Sequence, residues 1–196
     1  MTVASPFLGS PIRAAAALAV TLLLAACAGG SAPATFDLTS ADPPPERALR
    51  APLRIAEPLA SVDLDSDRIL VRTGPQQVAT LADARWSERL PLLVQSRLNE
   101  TFENAGFTGV ASRATAAANY ELDLDIRAFE LDVPASRVRV DFAAKIVATN
   151  GRAVATKIFT AEAPIASTSP PAVSAALNGA LATVMANIVA FVSTRI

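Results

Sequence analysis

Two stretches of the chain repeat apolar residues at the three- and four-residue spacing of an amphipathic α-helix. The first lies within residues 86–105 and has its apolar positions at Leu90, Leu93, Val94, Leu98 and Phe102. Gly106 follows as a stop signal, and Ser87 precedes as a candidate N-cap. Pro91 fits this helix in the first turn, where its missing N–H has no helical partner to lose. We therefore predict a helix that covers Leu90 to Phe102.

The second helical pattern starts after Ser169, which together with Pro170 and Pro171 has the composition of an N-cap and first turn. Its other faces are mostly Ala, Ser, Thr and Asn, and its apolar stripe comprises Val173, Leu177, Leu181, Val184, Ile188, Phe191 and Val192. We interpret this helix as a core helix packed on a sheet. A dedicated interface in a homo-oligomer is the alternative.

Between the helices the pattern changes to the two-residue alternation of half-buried β-strands. One face carries Tyr120, Leu122, Leu124 and Ile126, and the opposite face carries Glu121, Asp123, Asp125 and Arg127. The apolar phase then shifts by one residue to Phe129, Leu131 and Val133. This shift predicts a β-bulge near Ala128, which keeps both halves of the strand on the core face.

A second alternating run follows directly, with its apolar positions at Val138, Val140, Phe142, Ala144, Ile146 and Ala148. Asn150-Gly151 then predicts a type I′ hairpin turn. A strand through residues 157–159 should return antiparallel to the run before it.

Shorter strand signals precede the first helix. Leu53 and Ile55 alternate, residues 69–72 are β-like, Gly74-Pro75 breaks that strand, and a further short strand is expected within residues 77–81. The elements together predict a single α/β domain of the α+β kind, a largely antiparallel mixed sheet with two helices packed on it.

The N-terminus has the layout of a secretory signal, with Arg13 followed by the apolar run 14–26. This run has about 13 residues, whereas a transmembrane helix needs roughly 20. Its end, Leu24-Ala25-Ala26-Cys27, resembles the lipobox of bacterial lipoproteins, in which the cysteine is lipidated and becomes the first residue. Lipidation of Cys27 is therefore predicted, and a buried inert thiol is the alternative.

The predicted organisation has three parts. Residues 1–26 are the lipoprotein signal peptide, residues 27–52 are the lipidated cysteine and a linker rich in Pro, Ala and Ser, and residues 53–196 are a periplasmic domain. Within the linker, residues 35–38 alternate apolar and polar side chains and could form an edge strand. The residues after Cys27 are Ala28, Gly29 and Gly30, without the Asp that favours inner-membrane retention, so the outer membrane is expected.

Composition excludes most catalytic chemistry. The chain has no histidine and one cysteine, which rules out a Ser-His-Asp triad, a Cys-His pair and a zinc site built on nitrogen or sulfur ligands. Arg13 is the one charged residue of the signal peptide, so the remaining chain carries 16 basic and 18 acidic residues and gives no sign of nucleic-acid binding. We expect no enzyme activity and no cofactor.

Two groups of acidic residues are candidate sites. Asp63, Asp65 and Asp67 have the spacing of a calcium loop, but Arg68 stands where that loop needs glycine and Gly74 where it needs glutamate. A solvated acidic turn is the better interpretation. The row Glu121, Asp123 and Asp125 should line the outer face of the sheet and not act as an acid/base pair.

The chain resembles the ABC-type transport auxiliary lipoproteins, which include the paraquat-inducible protein C group. The resemblance rests on the lipobox, the Pro-rich spacer, the late strand 120–129, and the segments Leu64-Asp65-Ser66-Asp67-Arg68-Ile69-Leu70-Val71-Arg72 and Arg85-Trp86-Ser87-Glu88-Arg89-Leu90-Pro91. Where the family usually has Tyr-x-Leu, this chain has Phe36-Asp37-Leu38.

The resemblance implies a periplasmic domain that works with an ATPase, a permease and a lipid-binding MCE-domain protein in moving lipids between membranes. It brings no catalytic residues. By this resemblance Arg85 and Trp86 help to seat the first helix on the sheet. Plain core packing is the preferred interpretation of Trp86, and a contact of Arg85 and Trp86 with a partner is the second one. Two other functions stay open: a carrier lipoprotein that takes a lipid or small hydrophobic molecule into its own cavity, and a structural lipoprotein of the cell envelope.

Overall fold

The computed structural model describes residues 32–44, 51–111 and 118–196. Within them the chain forms, in order, β1 (Ala34–Phe36), β2 (Leu53–Ile55), β3 (Leu59–Ala60), β4 (Arg68–Gly74), β5 (Gln77–Trp86), α1 (Leu90–Asn104), β6 (Val110–Ala111), β7 (Tyr120–Asp132), β8 (Arg137–Ala148), β9 (Ala153–Pro164) and α2 (Pro170–Ser193). Cys27 and the predicted signal peptide lie outside the described residues.

The strands form one open mixed sheet, and the long pairings in it are antiparallel, as predicted. β7 pairs with β8, β8 with β9, and β4 with β5 in antiparallel register. The parallel pairings are short ones. The predicted α+β architecture of one sheet and two helices is confirmed.

The second edge of β7 is shared by three short parallel partners. β2 pairs with its start, β3 with its middle and β4 with its end, in the order in which they occur in the chain. β6 adds to β2, and β5 continues from β4 to β1 at the far edge. β7 therefore connects every part of the sheet.

The β-bulge predicted near Ala128 is present. Ile126 pairs with Phe142 and Ala128 with Asp141, so Arg127 is the extra residue of the bulged strand. Ile126 and Phe129 are both buried as a result. The bulge keeps the two apolar phases of β7 on the face that the helices cover.

α1 begins later than Ser87, and the prediction that Ser87 caps it is wrong. The residue at the N-cap is Arg89, with Pro91 in the first turn as expected. Ser87 instead extends the strand pairing, because its backbone N–H donates to the carbonyl oxygen of Phe36 at 2.7 Å. The strand predicted within residues 77–81 continues to Trp86, which displaces the start of the helix.

The end of α1 is closed by Gly106, as the sequence predicts. Gly106 has a φ of 91°, and its N–H bonds to the carbonyl of Glu103 while that of Phe107 bonds to the carbonyl of Phe102. This is the Schellman arrangement, which needs a left-handed residue after the helix. The Phe102 and Phe107 rings lie 5.6 Å apart and supply its usual hydrophobic contact.

α2 is long and apolar enough to cross a membrane by length and composition alone. Its stripe instead packs on the sheet: Val173, Leu177, Leu181 and Ile188 are fully buried, and Phe191 meets Phe159 of β9 edge to face at 5.6 Å. Ser169 is the N-cap residue, as predicted. α2 has the contacts of a core helix of this domain.

The turn between β8 and β9 is not of type I′. That turn type needs left-handed backbone at both central residues, but here the left-handed residue is Gly151, with a φ of 81°. The N–H of Gly151 donates to the carbonyl of Ala148, and the N–H of Ala148 donates to the carbonyl of Arg152. The hairpin is therefore closed by a three-residue loop with glycine in the bulge position, and β9 returns antiparallel as expected.

The folded unit begins at Pro33 and not at Leu53 as predicted. The predicted edge strand is present as β1, which pairs in parallel with the end of β5. Leu38 is 1% exposed and Ala41 is 7% exposed, so part of the expected linker belongs to the core.

Two glycines of the helical layer should respond to alanine with opposite signs. An added Cβ would meet no atom within 4 Å at Gly106 or Gly179, so only backbone conformation distinguishes the two sites. Gly106→Ala should lower the free energy of unfolding by about 1–2 kcal/mol, because left-handed backbone is strained for an L-residue. Gly179→Ala, inside α2, should raise it by about 0.5–1 kcal/mol. Urea unfolding of the purified variants measures both, and equal shifts would contradict the assignment.

Candidate functional site

Residues 33–44, called here the N-terminal strap, run from β1 across the helical layer and are held by α1. The N–H of Ala41 donates to Oγ1 of Thr101 at 3.0 Å, and Nδ2 of Asn104 donates to the carbonyl of Ala41 at 2.9 Å. Leu38 is buried beside these bonds, which contributes roughly 1.5–3 kcal/mol for a side chain of its size.

α2 binds the same strap through one asparagine. The N–H of Thr39 donates to Oδ1 of Asn178 at 2.8 Å, and Nδ2 of Asn178 donates back to Oγ1 of Thr39 at 2.8 Å. The strap is therefore bonded to both helices. β1 pairs with β5, and beyond β1 the backbone N–H groups of Thr39 and Ala41 are bonded by helix side chains, so the strap is an integral part of the domain.

Asp37 joins the strap to α1 by charge. Its Oδ2 accepts a hydrogen bond from Nη2 of Arg97 at 2.9 Å, and its Oδ1 accepts from the Leu38 N–H and from the Ser87 hydroxyl. Partial burial works to raise the pKa of this carboxyl, but the hydrogen bonds and the positive charge of Arg97 outweigh it and lower the pKa below 3.8. The ionised form of Asp37 thus stabilises the strap.

The strap shortens the connection to the predicted lipidation site. Only residues 28–32 separate Cys27 from Pro33, whereas the predicted linker extended to residue 52. The sequence signal for the strap was Leu38, which follows Phe36 at strand spacing. The Pro-rich stretch that follows Leu38 is typical of a linker, so the sequence alone does not reveal that the strap belongs to the folded domain.

The predicted partner-contact residues lie on opposite sides of the sheet surface. Trp86 is 1% exposed and packs edge to face on Phe129 with ring centroids 5.7 Å apart. The Arg85 side chain is 51% exposed, donates to Oγ1 of Thr35 at 3.2 Å and lies 3.9 Å from Asp67. Trp86 fixes the core where β1, β5 and α1 meet, and Arg85 presents a guanidinium at the surface.

The outer face of the sheet carries a ladder of paired charges. Glu130 of β7 has a side chain only 2% exposed and accepts two hydrogen bonds of 2.9 Å from Arg72 of β4. Arg139 of β8 stands 3.8 Å away on the other side. The hydrogen bonds to Glu130 raise the pKa of Arg72. Sequence patterning missed this cluster because it needs the β4–β7 pairing, which joins distant parts of the chain.

The acidic row predicted on the outer face is there: Glu121 and Asp123 are partly shielded, and Asp125 is exposed. Arg54 of β2 forms an ion pair with Glu121. Burial, followed by the negative charge of Glu121, raises the pKa of Asp123. An open cleft of about 370 Å³ lies at this point, lined by charged and polar residues such as Asp123 and Tyr120 together with apolar residues such as Val147.

The acidic turn before β4 is engaged by arginines. Nε of Arg89 donates to Oδ1 of Asp65 at 2.9 Å and the Arg89 guanidinium lies 3.4 Å from Glu57. These hydrogen bonds and charges raise the pKa of Arg89, the bond to Asp65 contributing most. In the part of the chain that the structure describes, no group of three or more acidic, His or Cys side chains is arranged to hold a metal ion.

Comparison with known proteins identifies the family. Residues 36–189 match the family described as the ABC-type transport auxiliary lipoprotein component. The chain belongs to this family. The match starts inside β1, so the family's domain includes the strap and not only the region after Leu53.

The chain is also similar to a curated protein and to solved structures. An uncharacterized protein of Bradyrhizobium diazoefficiens is 33% identical over 162 residues, which are 79% of this chain but 44% of that protein. The chain thus spans less than half the length of this curated relative. A crystal structure of a DUF330-family protein from Xanthomonas campestris shares 27% identity with a TM-score of 0.75, covering 83% of this auxiliary lipoprotein and 96% of that chain. Another uncharacterized protein of known structure shares the fold, with a TM-score of 0.66 at 15% identity, over 81% of this chain and 97% of its own.

Asp37→Asn should loosen the strap in a pH-dependent way. Because the folded-state pKa of Asp37 is lowered, its contribution is present above the unfolded value of 3.8 and is lost as the pH falls through the folded value. Asp37 is about half exposed, so the variant should lose only about 0.5–1 kcal/mol of unfolding free energy at pH 7. Urea unfolding at a series of pH values measures the difference, which should shrink as the pH falls below 3.8 and vanish once the pH is below the folded-state pKa.

The matched control is Asp63→Asn, which removes an exposed carboxylate of the turn before β4. A loss of stability at pH 7 as large as that of Asp37→Asn, or a difference that persists in acid, would show that the Asp37–Arg97 contact does not hold the strap.

Proposed function

We propose that this chain is the membrane-anchored auxiliary lipoprotein of an ABC-type envelope transport system that moves lipids together with an MCE-domain protein. Family membership over residues 36–189 carries this proposal. The lipobox-like sequence ending in Cys27 supports it, since a thioether-linked lipid with two or three chains would anchor the domain stably. Without an Asp after Cys27, the outer membrane is the proposed location.

The proposed role is docking and not catalysis. The chain has no histidine and its single cysteine is assigned to the lipid, so the usual nucleophile and base pairs are missing. Asp65, Glu121 and Glu130 each contact an arginine. Such paired carboxylates support a structural use of the acidic residues, and ATP hydrolysis would belong to another subunit.

Cys27→Ser should abolish lipidation and release the protein from the membrane. The full-length wild-type chain, expressed in a Gram-negative host, should yield a mature N-terminal peptide that starts at Cys27 and carries the mass of its acyl groups. The variant should lack that mass and leave the membrane fraction. Mass spectrometry and membrane fractionation measure both effects, and an unmodified Cys27 in a membrane-free wild-type protein would overturn the anchor.

Arg85→Glu should weaken capture of the transport partner without unfolding the domain. Arg85 is half exposed and its contact with Asp67 is long, so its loss should cost under about 1 kcal/mol of stability. Arg152→Glu, in the exposed β8–β9 turn, is the charge-matched control. Affinity purification from membranes with mass spectrometry should recover an MCE-domain protein with the wild type and the control, and less of it with Arg85→Glu.

Equal recovery with both variants would remove Arg85 from the contact. Recovery of a lipid bound inside the domain, with no MCE protein, would favour the carrier function over docking.

A further inference from the structure

Three turns lie together at one end of the sheet, called here the turn end. They are residues 73–78 at the β4–β5 hairpin, residues 133–136 between β7 and β8, and residues 165–169 after β9. β4 and β7 end at the same level because Arg72 pairs with Asp132, and β9 ends beside the start of β8 because Pro164 pairs with Arg137. The N–H of Ile165 also donates to the carbonyl of Ser136 at 3.1 Å.

The turn end has no ionisable side chain in any of its three segments, although the chain carries 17 basic and 18 acidic residues. Residues 75–80 of the β4–β5 hairpin are all exposed. Val78 and Val133 are 42% and 41% exposed on this surface. The opposite end, by contrast, carries Arg54, Glu121 and Arg152.

The charges nearest to the turn end are compensated within the protein. Arg72 is paired with Glu130, and Arg137 lies 2.9 Å from Glu162. Oδ1 of Asp132 accepts a hydrogen bond from the Ala135 N–H at 3.2 Å. Val78 pairs with Arg72, and Val133 follows Asp132, so both valines lie level with these compensated charges. The surface is partly apolar, and it can approach a lipid interface without leaving any of these charges unpaired.

The chain enters the fold facing the turn end. β1 runs parallel to β5, and β5 starts at the turn end, so the first residue of β1 lies on the side of the strand that faces the turn end. Thr35 and Arg68 both pair with Arg85, which puts the start of β1 level with the start of β4. From there to Gly74 a strand advances about 20 Å.

The tether has the matching length. From Cys27 to Pro33 a fully extended chain spans about 20 Å at most. A lipid on Cys27 can therefore lie level with the turn end. The lipid cannot reach the opposite end of the sheet, where β7 starts at Tyr120. At strand spacing, Tyr120 lies about 26 Å from the level of Arg68, on the side away from the turn end.

We propose that the turn end rests on the bilayer surface, with Val78 and Val133 at the boundary between headgroups and acyl chains. This proposal depends on the proposed lipidation of Cys27. The short tether keeps the domain against the membrane, and the neutral turns make that contact compatible with lipid. The opposite end and the exposed carboxylates of the acidic turn then face the periplasm.

The chain's single cysteine makes a direct test possible, because a lipidated Cys27 has no free thiol and any introduced cysteine is a unique labelling site. Full-length Val78→Cys and Val133→Cys proteins are labelled with a fluorophore and reconstituted into phosphatidylethanolamine/phosphatidylglycerol vesicles that contain headgroup spin-labelled lipid. Val62→Cys is the matched control, since Val62 is 90% exposed but lies in the turn between β3 and β4. Asn150→Cys reports on the opposite end.

Lipid-dependent quenching should be several-fold stronger at positions 78 and 133 than at positions 62 and 150, and the emission of the first two labels should shift to the blue. Equal quenching at all four positions, or protection of 78 and 133 from an aqueous quencher only when other transport proteins are added, would overturn the proposal. Flotation of the protein with the vesicles is measured first, and the Cys27→Ser variant is the control for membrane attachment. If the protein that retains the native Cys27 fails to float, the proposed lipid anchor itself is overturned.

Discussion

The two edges of β7 are the constraint on which the rest of the fold depends. One edge pairs with β8 along its whole length, and the other receives β2, β3 and β4 in succession. A strand that serves both edges must present one continuous apolar face to the helices. The bulge at Arg127 achieves this, because a one-residue slip would otherwise turn Phe129 and Leu131 to the solvent side.

The same slip sets the chemistry of the outer face. After the bulge Glu130 points away from the helices, between Arg72 and Arg139, and its carboxylate is shielded from water by both of them. A buried carboxylate is tolerated only when it is paired and hydrogen-bonded. The guanidinium of Arg72 satisfies both of its oxygens, which fixes the register of β4 on β7 as well as compensating the charge.

The strap gives the proposed anchor its geometry. Hydrogen bonds between the strap and the side chains of Thr101, Asn104 and Asn178, together with the Asp37–Arg97 ion pair, hold a segment that would otherwise be part of a long flexible linker. A domain on a long arm could sample any orientation at a membrane. A domain on a short tether is restricted to a few orientations, and the proposed contact of the turn end with the bilayer is one of them.

The sequence by itself determined the elements whose signal is local. The periodicity of residues 90–102 and 173–192, the alternation of β7 and β8, the phase slip at the bulge and the stop at Gly106 all depend on neighbouring residues, and the structure has each of them. The lipobox around Cys27 is equally local, and it stays a prediction because that residue lies outside the described part of the chain.

Only the tertiary structure decided where the domain begins and which charges meet. The burial of Leu38 and Trp86, the bond from Thr39 to Asn178 and the Arg72–Glu130 pair join residues that are far apart in the chain, so no local pattern could reveal them. The turn at Asn150-Gly151 was also decided by tertiary structure. The dipeptide favours a type I′ turn, but the pairing of β8 with β9 leaves a three-residue loop instead.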